Sequence, residues 1–530
     1  MTKSIFHFMV IAFLLNIKLL TAQNAACTVK WGPEIEAQRG ENISGWIGED
    51  EDYYYLSSLK FAMFKKSGLS IKKIDHKLNQ VATAFVEQEY KEAGEEFYTE
   101  SVDFLNEKLI LFSSVTDKKN KEYILYWKWI DSKTLAPLGT FKKLFSTPYD
   151  KNSSANQYSF NTSPDEQRIL VGITIPGREK DDRDNQYVYM YNENMELQWK
   201  KLITNDNPNL NLGYYYRLDD KGNIYNLSRN YTEKNGWFSK EVVSYSYNII
   251  AFTENGEKKI SYVLDVPRKF ITDISYKIDS ASSKIIVAGF YTNDRKNYGF
   301  DGCFYQQLDI KTKEVLVSSV KDFDISILTV GLTEKEAERA RRRDNRGKDL
   351  NFASYDLDKL VLRNDGGAVM ICEQYYVIAH TTTNSNGGTS TYYTYHYNNL
   401  LIVNITAKGN IEWVSAIPKA AHEREPGRYT SYVSMVKGDK IYLLFNDNLK
   451  NYGRDIKKDG VLEAEFTGKN GIMTMATVSA DGSVKREKLF ETANISVVPR
   501  PVVSNQINDD EILLIGDYKK TDQFAIIKFK

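Results

Sequence analysis

The stretch Thr28-Val-Lys-Trp-Gly-Pro-Glu-Ile35 lies near the start of a 530-residue chain and has a Trp followed four places later by an apolar residue. The same form returns as Gln198-Trp199-Lys-Lys-Leu-Ile203 and as Glu412-Trp413-Val-Ser-Ala-Ile417. An early segment that echoes segments from the middle of the chain points to a repeated unit, of which it is a displaced piece.

The repeat is built of hairpins. Short runs of apolar alternation, punctuated by turn residues about every ten positions, predict many short antiparallel strands. One kind of hairpin ends in a strongly apolar strand. It occurs at 44–56, 102–112, 161–171, 217–225, 278–287, 362–371, 436–444 and 505–515. The other kind is an outer pair with a polar turn, at 74–79, 130–135, 191–195, 253–257, 308–313, 405–410 and 479–483. The two kinds alternate, eight of the first against seven of the second. Two hairpins make one four-stranded sheet, and radial repetition of such sheets predicts an all-β fold, a β-propeller. After the eighth inner hairpin the sequence has room for one strand, Phe524-Ala-Ile-Ile-Lys-Phe-Lys530. The missing partner is available at the other end. The reading is therefore eight antiparallel blades, the last built from three C-terminal strands and the N-terminal segment around Trp31, with Pro33 suited to an edge. Seven blades are the alternative.

Composition narrows the function classes. The chain is 42% hydrophobic and 13% aromatic, enough to bury a large core. Lys plus Arg equals Asp plus Glu at 70 each, so the global field offers nucleic acid or an anionic membrane no attraction. Residues 1–23 read as a secretory signal peptide: one positive charge, a short apolar run from Ile5 to Leu20, then Thr21-Ala22-Gln23. No transmembrane segment is expected in the mature chain, which reads as a single propeller over 24–530. An exported protein of periplasmic or outer-surface location follows. Cys27, Cys303 and Cys372 make no disulfide framework, and the last two sit in strand-like runs as small buried hydrophobes.

The long insertions all fall between hairpins or between blades, and so on one face: 176–186, 230–240, 326–356, 379–399, 418–429 and 446–470. Long loops gathered on a rigid scaffold are where binding resides. Four of the six adjoin blades five to seven. Within them, Thr333-Glu-Lys-Glu-Ala-Glu-Arg-Ala-Arg-Arg-Arg343 predicts a solvated helix with a capping box from Thr333 to Glu336, and Arg341, Arg342 and Arg343 are candidates to grip an acidic partner. Residues 379–399 predict a protruding hairpin that turns at Asn386-Gly387-Gly388. Tyr375, Tyr376, Tyr392, Tyr393, Tyr395 and Tyr397 on this ribbon are candidates for sugar stacking or for a protein contact. His380, His396 and His422 share the sector and raise the question of a metal. A two-residue turn would put His380 and His396 on opposite faces, and only a three-residue turn would bring the two to one side. No metal or other cofactor is expected.

Motifs for chemistry are missing. The sequence has no His-Glu-x-x-His, no Gly-x-Ser-x-Gly, no phosphate-cradling glycine loop and no Cys-x-x-Cys. Carboxylates are plentiful, but a glycosidase pair is chosen by geometry. The segments Asn404-Ile-Thr-Ala-Lys-Gly-Asn-Ile-Glu-Trp413 and Tyr191-Asn-Glu-Asn-Met-Glu-Leu-Gln-Trp199 resemble the quinoprotein-type propeller repeat. That resemblance implies eight blades, with both cofactor-using dehydrogenases and a noncatalytic periplasmic scaffold among its members. The vicinal Cys pair of several of the dehydrogenases is absent here. Asn364-Asp-Gly-Gly-Ala-Val-Met-Ile-Cys-Glu-Gln-Tyr-Tyr376, with Tyr395-His-Tyr397 and Phe445-Asn-Asp-Asn448, resembles exported proteins of Bacteroidota and implies a lineage without an activity. The expectation is a noncatalytic scaffold that binds a protein or glycan through its loop face. A glycan-active or cofactor-using enzyme is the alternative, which carboxylates converging in the central funnel would favour.

Overall fold

The structure is a computed structural model. It describes residues 21–530 apart from 24–25, 39, 61–66, 93, 149–156, 176–184, 205–209, 236–239, 294–299, 345–354, 384–387 and 425–426. Eight antiparallel sheets follow one another along the chain, each ordered from its first strand to its last, with extra edge strands on three of them. Blade 1, for example, is Glu41–Glu49, Tyr53–Lys60, Gly68–Asp75 and Gln80–Glu87. The first strands of neighbouring blades touch each other around the axis, so the order runs from the channel outward. Every inner and outer hairpin read from the sequence occupies its expected place.

The pattern of burial explains why the blades close into a ring. Among the described residues the buried apolar side chains form eight clusters, each lying between two adjacent blades. A four-stranded blade has two faces and can bury them only against its neighbours. The cluster of Ile43, Tyr54, Leu56, Ile74 and Leu78 with Leu513, Ile515 and Phe524 joins blade 1 to blade 8.

Blade 8 is assembled from both ends of the chain. Its inner edge is broken into Val498–Pro499 and Asn505–Gln506, both paired to Glu511–Tyr518, which pairs in turn with Thr521–Phe529. Cys27–Trp31 then completes the blade, with Cys27 opposite Phe529 and Trp31 opposite Ala525. Thr21–Gln23 adds a further edge beyond it. Cleavage after residue 23 would remove that edge and leave Cys27–Trp31 outermost.

The echo that led to this closure is only partly structural. Trp199 and Trp413 face the next blade, where each ring packs on a left-handed turn glycine, Gly256 or Gly482. Two residues later Lys201 and Ser415 donate to those glycines' carbonyls. Trp31 faces the other way. It meets Phe490 of blade 7 edge-on at 5.4 Å, as the alternation Cys27, Val29, Trp31 turns all three onto blade 7. The chain breaks at Gly32, where a Cβ would come within 2.4 Å of Leu78, and Ile35 then packs toward blade 1. The strand is the right one, but its Trp is not equivalent to the other two.

Candidate functional site

The loop face carries its largest elaboration on blade 6. Strands Ala368–Thr383 and Thr389–Ile405 run far past the blade as a two-stranded ribbon. Their register, Tyr376 opposite His396 and His380 opposite Tyr392, follows from five residues between Thr383 and Thr389. The connection is longer than the two or three residues expected, and because it too is odd-numbered both histidines fall on one face. Of the turn predicted at 386–388, Asn386 and Gly387 lie outside the described residues.

Alternation sorts the six candidate tyrosines into two sets. Tyr376 and Tyr392 share a face with His380, Thr394 and His396, while Tyr375, Tyr393, Tyr395 and Tyr397 share the opposite one with Val377. On the histidine face Tyr376 stacks on His396 at 4.7 Å and 6°, and His396 stacks on His422 at 5.0 Å. His422 belongs to a short strand, His422–Glu423, paired to the ribbon's free edge. Its Nδ1 lies 3.1 Å from Oε2 of Glu463, supplied by blade 7. Further out His380 stacks on Tyr392 at 4.8 Å, with the Arg424 guanidinium 4.7 Å from the Tyr392 ring centre. The Thr394 hydroxyl joins the two stacks, 2.9 Å from His380 Nε2 and 3.0 Å from His396 Nε2. Burial, with the charges of His422 and His380, holds His396 below the ordinary histidine range and so neutral at physiological pH.

The three histidines come together, but His380 pairs four residues further along the ribbon than His396, and Thr394 stands between their nitrogens. Among the described residues no group of three His, Cys, Asp or Glu side chains is placed to hold a metal.

The opposite face is the exposed one. Tyr393 is 50% exposed and Val377 44%. Tyr375 and Tyr397, nearer the root, pack on each other at 4.9 Å. This stripe presents rings and an aliphatic side chain to solvent on a stiff support.

The support is a buried ion pair that the sequence reading did not find. Lys419, 1% exposed, puts Nζ 2.6 Å from Oε1 of Glu373 and donates to the Tyr397 carbonyl at 2.7 Å. Ser431 donates to the other Glu373 oxygen at 2.6 Å, and the Lys419 amide donates to Asn399 Oδ1. Asn399 also donates to Val330 O in the 326–356 insertion. Parts of four of the six insertions are thus bonded into one body. Lys419 and Glu373 escaped notice because a charged residue beside a strand ordinarily reads as solvated.

Of the three arginine candidates, Arg341 and Arg342 have described side chains. The capping box forms as expected, Glu336 N donating to Thr333 Oγ1 at 3.3 Å and Thr333 N to Glu336 Oε2 at 2.9 Å. Arg342 pairs with Glu338 along its own helix, and Arg341 is exposed. The Arg343 side chain lies outside the described residues.

Toward the axis the same sector ends in carboxylates. Asp358 sits at a bulge of the inner strand of blade 6 and accepts from Tyr432 OH at 3.1 Å. Confinement in the channel, with the charge of Glu373, pushes its pKa up to about 7. Confinement and the Asp273 charge raise Asp356 as well. All three thiols are buried, Cys372 opposite Leu357 beside these carboxylates. Burial pushes Cys27 up to about 11 and Cys303 up to about 12, which leaves neither a ready nucleophile.

Fold and sector together define an eight-bladed β-propeller with its elaborations gathered on one face. No protein-family model matches the chain, and no curated protein matches it. Solved structures do. The WD40 domain of SCAP from fission yeast aligns over 96% of this chain and 97% of its own, with 9% identity and a TM-score of 0.39. The β-propeller domain of the Trilobed protease from Pyrococcus furiosus aligns over 86% and 99%, with 13% identity and a TM-score of 0.34. Prolyl oligopeptidase B from Galerina marginata aligns over 91% of this chain and 56% of its own, with 10% identity and a TM-score of 0.39. Likeness at this level concerns fold and carries no activity across. No helix among the described residues is long and apolar enough to cross a membrane.

Proposed function

We propose that this protein is an exported, noncatalytic propeller that binds a protein or glycan through its loop-bearing face around blades five to seven. The observation that carries this reading is the ribbon's outer stripe of exposed Val377 and Tyr393 with half-buried Tyr395 beside them, held in place by the Lys419–Glu373 pair below it. Rigid aromatic side chains give much contact area for little ordering entropy, and their faces stack equally on sugar rings. Export rests on the apolar leader over 1–23, and the quinoprotein-like repeats at 191–199 and 404–413 favour a periplasmic scaffold. Tyr393→Ala with Tyr395→Ala should abolish capture of envelope proteins or glycans in a pull-down while the melting curve stays unchanged. Undiminished capture would remove the ribbon as the contact.

A glycan-active enzyme has one observation in its favour, the channel carboxylates Asp356 and Asp358, the second held near neutrality. A carboxyl group of this kind can donate a proton to a leaving group. On the binding reading Asp358→Asn leaves ligand capture intact and the purified protein releases no reducing sugar from envelope glycans. Sugar release by the parent protein that Asp358→Asn abolishes would establish the enzyme instead.

A further inference from the structure

The ribbon of blade 6 leaves one of its two backbone edges open. Gln374 still pairs with Tyr355 of the blade's first strand, but beyond it residues 375–383 have a strand neighbour on one side only among the described residues. The other ribbon strand is covered near its root. His422–Glu423 pairs with it there, and the Tyr397 amide donates to the Ala421 carbonyl at 2.8 Å.

An open edge offers unpaired N–H and C=O groups to any extended segment, and natural sheets blunt such edges with charge, proline or a bulge. This propeller does so around its rim. Each of the eight fourth blade strands carries at least one charged residue, among them Lys30 on blade 8, Glu87 on blade 1 and Lys258 on blade 4. The ribbon has none of these devices. Residues 374–407 hold no Asp, Glu, Lys, Arg or Pro, in a chain that is 26% charged. Its register runs unbroken from Tyr375 opposite Tyr397 to Thr383 opposite Thr389, so no bulge turns the edge away. Val377, Ile378 and Thr381 to Thr383 are exposed and β-branched, the composition of a strand that pairs.

The covered side of the same strand shows which neighbours it takes. Thr381 lies opposite Thr391 with their hydroxyls 3.2 Å apart, and Thr382 and Thr383 lie opposite Ser390 and Thr389. Small hydroxyl side chains thus pair with their own kind here. A second copy of this strand would present the same threonines, and without charges the two copies meet no repulsion.

We infer that the edge 375–383 pairs antiparallel with the same edge of a second copy of this chain, joining two ribbons into one four-stranded sheet. The contact is isologous, with its two-fold axis normal to the sheet, so each face of one ribbon continues into the same face of the other. The stripes around Val377 and Tyr393 then lie on one side of a single sheet. A single strand pair buries less than a standard interface, so the association is of about micromolar strength. The pairing concerns the ribbon's edge and stands whether or not the stripe takes a ligand.

Sedimentation velocity of the full chain over about 1–100 µM tests it. The parent should pass from monomer to dimer across that range. Ala379→Lys with Thr381→Lys brings like charges together across the two-fold axis and should weaken the dimer about tenfold or more while the melting curve stays unchanged. Ala379→Glu with Thr381→Glu should be as weak alone, and an equimolar mixture of the two variants should recover the dimer. A parent that stays monomeric throughout would overturn the proposal and leave the edge to a strand of another protein. Variants that dimerise as the parent does, or a mixture that stays monomeric, would overturn it equally.

Discussion

Deleting residues 27–36 is expected to leave no stably folded ring. The segment buries Cys27, Val29 and Trp31 against blades 7 and 8 and supplies the outer ladder of the closing blade. Three fully buried side chains contribute roughly 5–9 kcal/mol on transfer grounds. That is comparable with the whole stability of a typical domain, about 5–15 kcal/mol. An ordinary frayed terminus contributes almost nothing. Thermal denaturation followed by circular dichroism checks the prediction, and a synthetic peptide of the same ten residues, added in trans, should restore part of the transition by strand addition. A melting temperature unmoved by the deletion would mean that the ring does not depend on its N-terminal strand.

Replacing Lys419 by Met should have the next largest effect. It strands the buried Glu373 carboxylate and removes the donor to Tyr397 O. Breaking a buried pair by removing one partner costs about 3–5 kcal/mol. Glu373→Gln introduced together with Lys419→Met should recover much of that loss, because no uncompensated charge is then buried. Urea titration of the two variants measures both numbers. A single variant as stable as the parent would show that the ribbon's root is held by something other than this pair.

How much of this could be read from residues alone follows from what each signal encodes. Hairpins are local: alternation and turn chemistry lie within a dozen residues, so all fifteen were legible, and the mismatch between eight inner and seven outer hairpins gave the closure. The echo around Trp31 was a weaker guide. Trp and an apolar residue four places on can share a pleat face, but the break at Gly32 and Pro33 separates Trp31 from Ile35 and sends them to different blades. The loop sector was legible as a concentration of insertions. Its contents were less so. Which face a tyrosine takes depends on the parity of a connection whose ends are not marked in sequence. Arg424 and Glu463 come from segments without periodicity and find Tyr392 and His422 only in three dimensions.

The closing blade also sets an order of events. Cys27 touches Met475 at 3.9 Å and lies opposite Phe529. The segment synthesised among the first is therefore consumed last, and it stays without its partner until the final hairpin has been made. Pairing over such a separation is slow and cannot begin on a partial chain. A polypeptide that must wait in this way stays unclosed until the strand Thr521–Phe529 has been made.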